Sequence, residues 1–151
     1  MKRILWLILL VAFSGFSQAS DWTLKDTTGK PLSLSQYKGK WVLVNFWATW
    51  CPPCLEEIPA LEKLDEEGKL VVIGIAMSYR SRGEVLGFAR KNHLSYAVVL
   101  GNDDIADEFG DIDTLPTSFL YSPGGQLVGQ HLGPLSRKDI ESAMRGAPFS
   151  N

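Results

Sequence analysis

Trp41-Val-Leu-Val-Asn-Phe-Trp47-Ala-Thr-Trp50-Cys51-Pro-Pro-Cys54-Leu-Glu-Glu57 carries an apolar run straight into a pair of cysteines. Residues 41–47 are almost continuously apolar or aromatic, which suits a strand buried on both faces of a sheet. Beyond the cysteines, Leu55, Ile58, Leu61 and Leu64 recur at helical spacing, with Glu56, Glu57, Glu62, Asp65, Glu66 and Glu67 largely on other faces. That stripe predicts a helix over Pro52–Glu67. Pro59 lies inside it and is expected to kink it, because it has no N–H to donate to the Leu55 carbonyl. Leu70-Val-Val-Ile-Gly-Ile-Ala-Met77 repeats the character of the first run. Strand, helix and strand in this order make a right-handed parallel crossover, with Cys51 at the junction of the first strand and the helix.

The remaining segments continue the alternation. Ser81 to Asn92 reads as a helix, Tyr96 to Leu100 as a short strand and Asp103 to Phe109 as a short acidic helix. Thr117–Tyr121 and Leu127–His131 read as strands joined by Ser122-Pro-Gly-Gly-Gln126, whose glycine pair favours a hairpin turn. Ser136 is placed to cap a last helix through Met144. Near the start, Trp22–Leu24 and Leu32–Leu34, joined by Thr28-Gly-Lys-Pro31, predict a hairpin. The expected architecture is α/β, a mixed central sheet with helices on both faces.

Composition narrows the classes. The chain has 151 residues, 15 Lys or Arg, 17 Asp or Glu and a net charge of −2. A nucleic-acid binder's basic footprint is missing, so no nucleic-acid partner is expected. With 45% apolar and 21% charged residues, one folded domain is expected rather than a disordered chain. Lys2 and Arg3 precede the apolar run from Ile4, and Ser17-Gln18-Ala19 offers small residues at a cleavage site. Residues 1–19 therefore read as a cleaved export signal and 20–151 as the mature domain. The apolar stretch reaches 13 residues even when extended to Phe16, short of the roughly 20 needed to span a bilayer. An uncleaved anchor facing the periplasm is the alternative.

Export changes how the two cysteines read. In an oxidising compartment Cys51 and Cys54 are either a disulfide or a dithiol kept reduced on purpose. A bridge across so short a loop removes little chain entropy, so it makes a poor staple. The pair is better explained by chemistry. A sulfur at a helix N-cap accepts backbone N–H bonds and feels the positive end of the helix dipole, which favours its thiolate. Cys51 holds that place and is assigned as the nucleophile. Cys54, one turn further in, is positioned to resolve a mixed disulfide. Pro53 removes one N–H that would otherwise reach the sulfur, and no basic side chain lies between the cysteines. A weakly stabilised thiolate is a pair that tends to give electrons away, so a reductase is expected rather than a strong oxidant.

Val44-Asn-Phe-Trp-Ala-Thr-Trp-Cys-Pro-Pro-Cys54, followed by Glu57 and Pro59, resembles the active-site stretch of the TlpA/ResA-like thioredoxin family of the bacterial cell envelope. That family includes the cytochrome c maturation reductases. Thr114-Leu-Pro-Thr-Ser-Phe-Leu120 is similar to its second signature, a cis-proline loop opposite the cysteines. The match covers roughly Asp21 to Met144. It implies a thioredoxin fold with an inserted strand and helix, Pro116 as the cis proline, and Leu115 as the residue whose backbone meets the substrate. Trp50 would flank the nucleophile as an apolar lid, with Pro52 beside it in contact with substrate, and Trp47 would pack beneath the helix. Glu57 corresponds to the family's acidic residue after the second cysteine; partly buried there, it could take or return the Cys54 proton. Asn45 stands where parent thioredoxins keep a buried Asp, which leaves Glu57 as the main proton-transfer candidate.

The resemblance further implies disulfide-containing envelope proteins as substrates, apocytochrome c among them, and a membrane electron donor of the DsbD/CcdA type. No cofactor beyond the redox-active Cys51–Cys54 pair is expected. Zinc would need two further ligands, and His93 and His131 stand in no recognised spacing. A Cu(I)-binding assembly module is the alternative from another class, since soft thiolates suit Cu(I) and His131 could add a third ligand. A peroxiredoxin would need Thr-x-x-Cys, and position 48 is Ala. The acidic residues Asp103, Asp104, Asp107, Glu108, Asp111 and Asp113 read as a solvated face.

Overall fold

The computed structural model describes residues 21–150; the segment read as an export signal lies outside the described residues. Alternation along one strand shows how the molecule is layered. In β3 (Val42–Trp47) every residue is buried. Leu43 and Trp47 join the core on one face, while Val42, Val44 and Phe46 join the core on the other. This is the period-two pattern of a central strand covered on both sides. β3 pairs in parallel with β4 (Val71–Ala76), which pairs in parallel with β5 (Ala97–Leu100). On its other side β3 pairs antiparallel with β6 (Thr117–Tyr121), and β6 with β7 (Leu127–Leu132). The order is β5-β4-β3-β6-β7, the mixed sheet expected.

α1 (Pro52–Glu66), α2 (Arg82–Lys91) and α4 (Arg137–Met144) bury Leu61, Leu64, Val85, Ile140 and Ala143 on the Leu43/Trp47 face. The opposite face is covered by the short α3 (Asp103–Asp107) and by the N-terminal hairpin with its following 3-10 turn, Leu34–Tyr37. Helices thus lie on both faces, three against one. Ser81 caps α2 through the Glu84 N–H, and Ser136 and Asp139 form a reciprocal capping box on α4. α3 ends two residues before the expected Phe109, and the chain turns at Gly110 with φ +115°.

The hairpin is shifted by one residue from its expected position. β1 (Thr23–Lys25) and β2 (Pro31–Ser33) pair through Leu24 opposite Leu32, and they form a separate two-stranded sheet. Its turn is organised by Asp26 rather than by Thr28–Pro31 alone. One Asp26 carboxylate oxygen accepts from the Thr28 N–H at 2.8 Å, the Thr28 hydroxyl at 2.7 Å and the Lys30 N–H at 2.9 Å. Such an Asx-type turn fixes a loop with a side chain that sequence periodicity does not register.

β4 passes close beneath Trp47. A Cβ added at Gly74 would meet Trp47 Nε1 and a Tyr96 ring carbon at 2.9 Å each, both on buried aromatic rings. Overpacking of this kind costs about 1–3 kcal/mol. Gly74→Ala is therefore expected to lower the unfolding free energy by that amount, read as a lower urea midpoint with an unchanged slope of the transition.

Candidate active site

Cys51 ends the β3 loop with extended backbone, φ −94° and ψ 103°, and caps α1. Pro52 and Pro53 open the helix and carry no N–H. Cys51 Sγ therefore accepts from a single cap donor, the Cys54 N–H at 3.3 Å. The two cysteines are joined by a disulfide, their Cα atoms 5.3 Å apart. They differ in access. Cys51, with Trp50, Pro52 and Leu115, lines a groove of about 580 Å³, while Cys54 is fully buried and does not border it.

The opposite wall of the groove comes from the loop before β6. The Leu115–Pro116 bond is cis, as the resemblance implied, and the Leu115 carbonyl oxygen lies 3.7 Å from Cys51 Sγ. Pro116 is buried and Leu115 half-buried. The Pro116 carbonyl accepts from the Gly133 N–H at 2.8 Å, and the Thr117 hydroxyl donates to the Thr114 carbonyl at 2.6 Å. Both ends of the loop are thereby pinned. Trp50 is 61% exposed and lines the groove beside Cys51. Its indole N–H donates to the Ser78 carbonyl at 3.0 Å. Next to it, the Thr49 hydroxyl donates to Glu84 on α2, which ties the loop bearing Trp50 to a second helix.

Glu57 is the most consequential departure from expectation. It is not partly buried but 1% exposed, pointing inward from α1. Asn45 Nδ2 donates to its Oε1 at 2.7 Å, and the Leu135 N–H donates to its Oε2 at 3.0 Å. Asn45 Nδ2 also lies 3.0 Å from the Ser118 hydroxyl, on the residue opposite it in β6. Desolvation pushes the Glu57 carboxyl up to about 7, and the two hydrogen bonds, Leu135 then Asn45, hold it back from going higher. A carboxyl poised there can exchange a proton near neutrality. It lies one turn beyond Cys54 on the same helix face.

Sequence reasoning treated Asn45 only as a lost acid; its role as the partner of Glu57 was missed. The signal was present, since Leu43, Asn45 and Trp47 alternate onto the face that α1 covers. Leu135 offered no such signal, because it acts through its backbone from 78 residues away. Trp47 shares the core with α1 residues, but its ring packs on Phe88 of α2, centroids 5.0 Å apart, rather than simply beneath α1. His131 sits on the edge strand β7 with its ring near Phe149, and His93 follows the end of α2. The acidic residues from Asp103 to Asp113 are all exposed, with Asp103 and Asp113 reaching the groove. Among the described residues, no three His, Cys, Asp or Glu side chains converge in a way that could hold a metal ion.

A cysteine pair at a strand-to-helix junction, facing a cis-proline loop across β3 and β6, places the molecule among the thioredoxin-fold thiol:disulfide oxidoreductases. A crystal structure of a thiol:disulfide interchange protein of the thioredoxin family from Chlorobium tepidum TLS is similar at a TM-score of 0.74 and 29% identity, over 83% of this chain and 91% of that one. Thioredoxin-like protein YneN of Bacillus subtilis is 32% identical over 91% of this chain and 92% of its own length. Thiol-disulfide oxidoreductase ResA of the same organism is 33% identical over 85% and 73%. The chain belongs to the AhpC/TSA family, whose model matches residues 17–130, and within it to the TlpA/ResA-like thiol-disulfide oxidoreductases.

Proposed function

We propose that the protein is an exported reductase of disulfides in envelope proteins. The observation that carries the direction is the single cap N–H at Cys51 Sγ, left by two consecutive prolines. Fewer donors mean a less stabilised thiolate and a reduced pair that gives up electrons readily. Cys51 faces the groove and attacks the substrate disulfide, releasing one substrate thiolate and leaving a mixed disulfide. Glu57 takes the proton from Cys54, whose thiolate attacks Cys51 Sγ and expels the second substrate thiolate. The enzyme loses two electrons and forms Cys51–Cys54; the substrate gains them and takes up protons as its thiols form.

Trp50, Pro52 and Leu115 form the walls on which the substrate chain lies, and the cis bond at the buried Pro116 sets the course of the Leu115 backbone. Apocytochrome c is the client that the family resemblance favours, and a membrane protein of the DsbD/CcdA type would return the electrons. Export rests on the pattern of residues 1–19; among the described residues, no helix is long and apolar enough to cross a membrane. The Cu(I) alternative drew on His131, which stands on the far edge strand of the sheet. Equilibration of the pair against glutathione tests the direction. The expected potential lies toward the roughly −270 mV of thioredoxin, and a value near the roughly −120 mV of a strong oxidant would reverse the assignment.

A further inference from the structure

Two openings flank the cysteine pair, and Cys54 borders neither. Cys51 borders the groove in front. Behind, a cleft of about 450 Å³ runs between α1 and the loop leading into α4, with Ala60 and Pro134 on its walls and Glu57 and Leu135 lining it. In the mixed disulfide the groove is filled by substrate, yet Cys54 must lose a proton at that moment. We propose that the rear cleft is the proton exit of the enzyme: the Cys54 proton passes to Glu57 and leaves through water in the α1–α4 cleft, so resolution does not depend on an open groove. The inference rests on Glu57 serving as the proton partner of Cys54.

The surroundings of Glu57 leave this route free of competing acids. From α1 itself Cys54 and Glu56 are nearby, and Glu56 is exposed at the cleft. From β3 and β6 come the uncharged Asn45 and, behind it, Ser118. From the head of β5 comes the buried Tyr96, whose phenol is held far above its ordinary range, first by desolvation. At the α4 side, Arg137 is occupied by Glu67 and Glu141, and Asp139 by its cap on Ser136. Glu57 is thus the one lining carboxyl that reaches inward, with its raised value near 7 suited to repeated exchange.

The test fills the cleft from either wall. Reduced protein mixed with an aromatic disulfide releases one coloured thiolate when Cys51 is captured and a second when Cys54 resolves the adduct. Ala60→Leu and Pro134→Trp are expected to leave the first release unchanged. The second should slow by about tenfold near pH 6 and recover near pH 9, as its pH midpoint moves upward. In a Glu57→Gln background neither substitution should slow it further, because both act through the same group. If Glu57→Gln slows resolution and the two cleft variants do not, the exit lies elsewhere and the role of Glu57 stands. If Glu57→Gln leaves both rate and pH profile unchanged, that role fails and the exit with it. Equal slowing in the Glu57→Gln background, or no recovery at high pH, would mark a packing effect and overturn the proposal.

Discussion

Cys54→Ser is expected to convert the enzyme into a trap. The reduced variant, exposed to disulfide-bearing envelope proteins, should accumulate as a covalent adduct through Cys51 that dithiothreitol releases, since no thiol remains to resolve it. Cys51→Ser should form no adduct and show no exchange above the uncatalysed background. The asymmetry follows from access. Cys51 lines the groove against the Leu115 carbonyl, whereas Cys54 is enclosed within the core. Electrophoresis without reductant separates the outcomes. Equal trapping by both variants would show that either sulfur can meet the substrate and would undo the assignment of roles.

The second large effect is on stability. Glu57 has an ordinary value of 4.5 and is pushed up to about 7 in the folded chain, chiefly by burial. Between those values the folded protein holds a proton that the unfolded chain has released. Stability therefore falls as pH rises through this window, and the penalty is complete above about pH 7. The gap between 4.5 and about 7 corresponds to about 3 kcal/mol. Glu57→Gln removes the titration, though it leaves one of the donors from Asn45 and Leu135 facing an amide N–H. That constant cost cancels in a comparison across pH. Urea denaturation should find the wild type losing about 3 kcal/mol relative to Glu57→Gln between about pH 4 and pH 8. Parallel stability curves would show that the carboxyl is hydrated in the folded state.

Most of the sheet and helix order was legible because it follows from local rules. A continuous apolar run gives a strand covered on both faces, leucines at helical spacing give α1, and Ser81 and Ser136 announce the helices they cap. The cysteines were legible from their place between strand and helix, whereas Trp50, Leu115 and Pro116 came from the family resemblance. What escaped depends on contacts between distant segments. The hairpin was misplaced by one residue because Asp26 sets the turn through its side chain. The depth of Glu57 was underestimated because its burial needs α1, β3 and the loop before α4 together. The anchor of the Trp50 indole also escaped, because the Ser78 carbonyl that accepts from it lies 28 residues downstream.

The 2.7 Å bond between Asn45 and Glu57 also bears on how relatives should be compared. In parent thioredoxins the acid resembles a fixture of the strand; here the strand supplies an amide and the neighbouring helix supplies the acid, one hydrogen bond away. An alignment scored column by column would register a missing acid at 45 and an unrelated surface acid at 57. In this chain the buried space between β3 and α1 holds one carboxyl, supplied from the helix side. Homologues are better sorted by what occupies that volume than by either column alone.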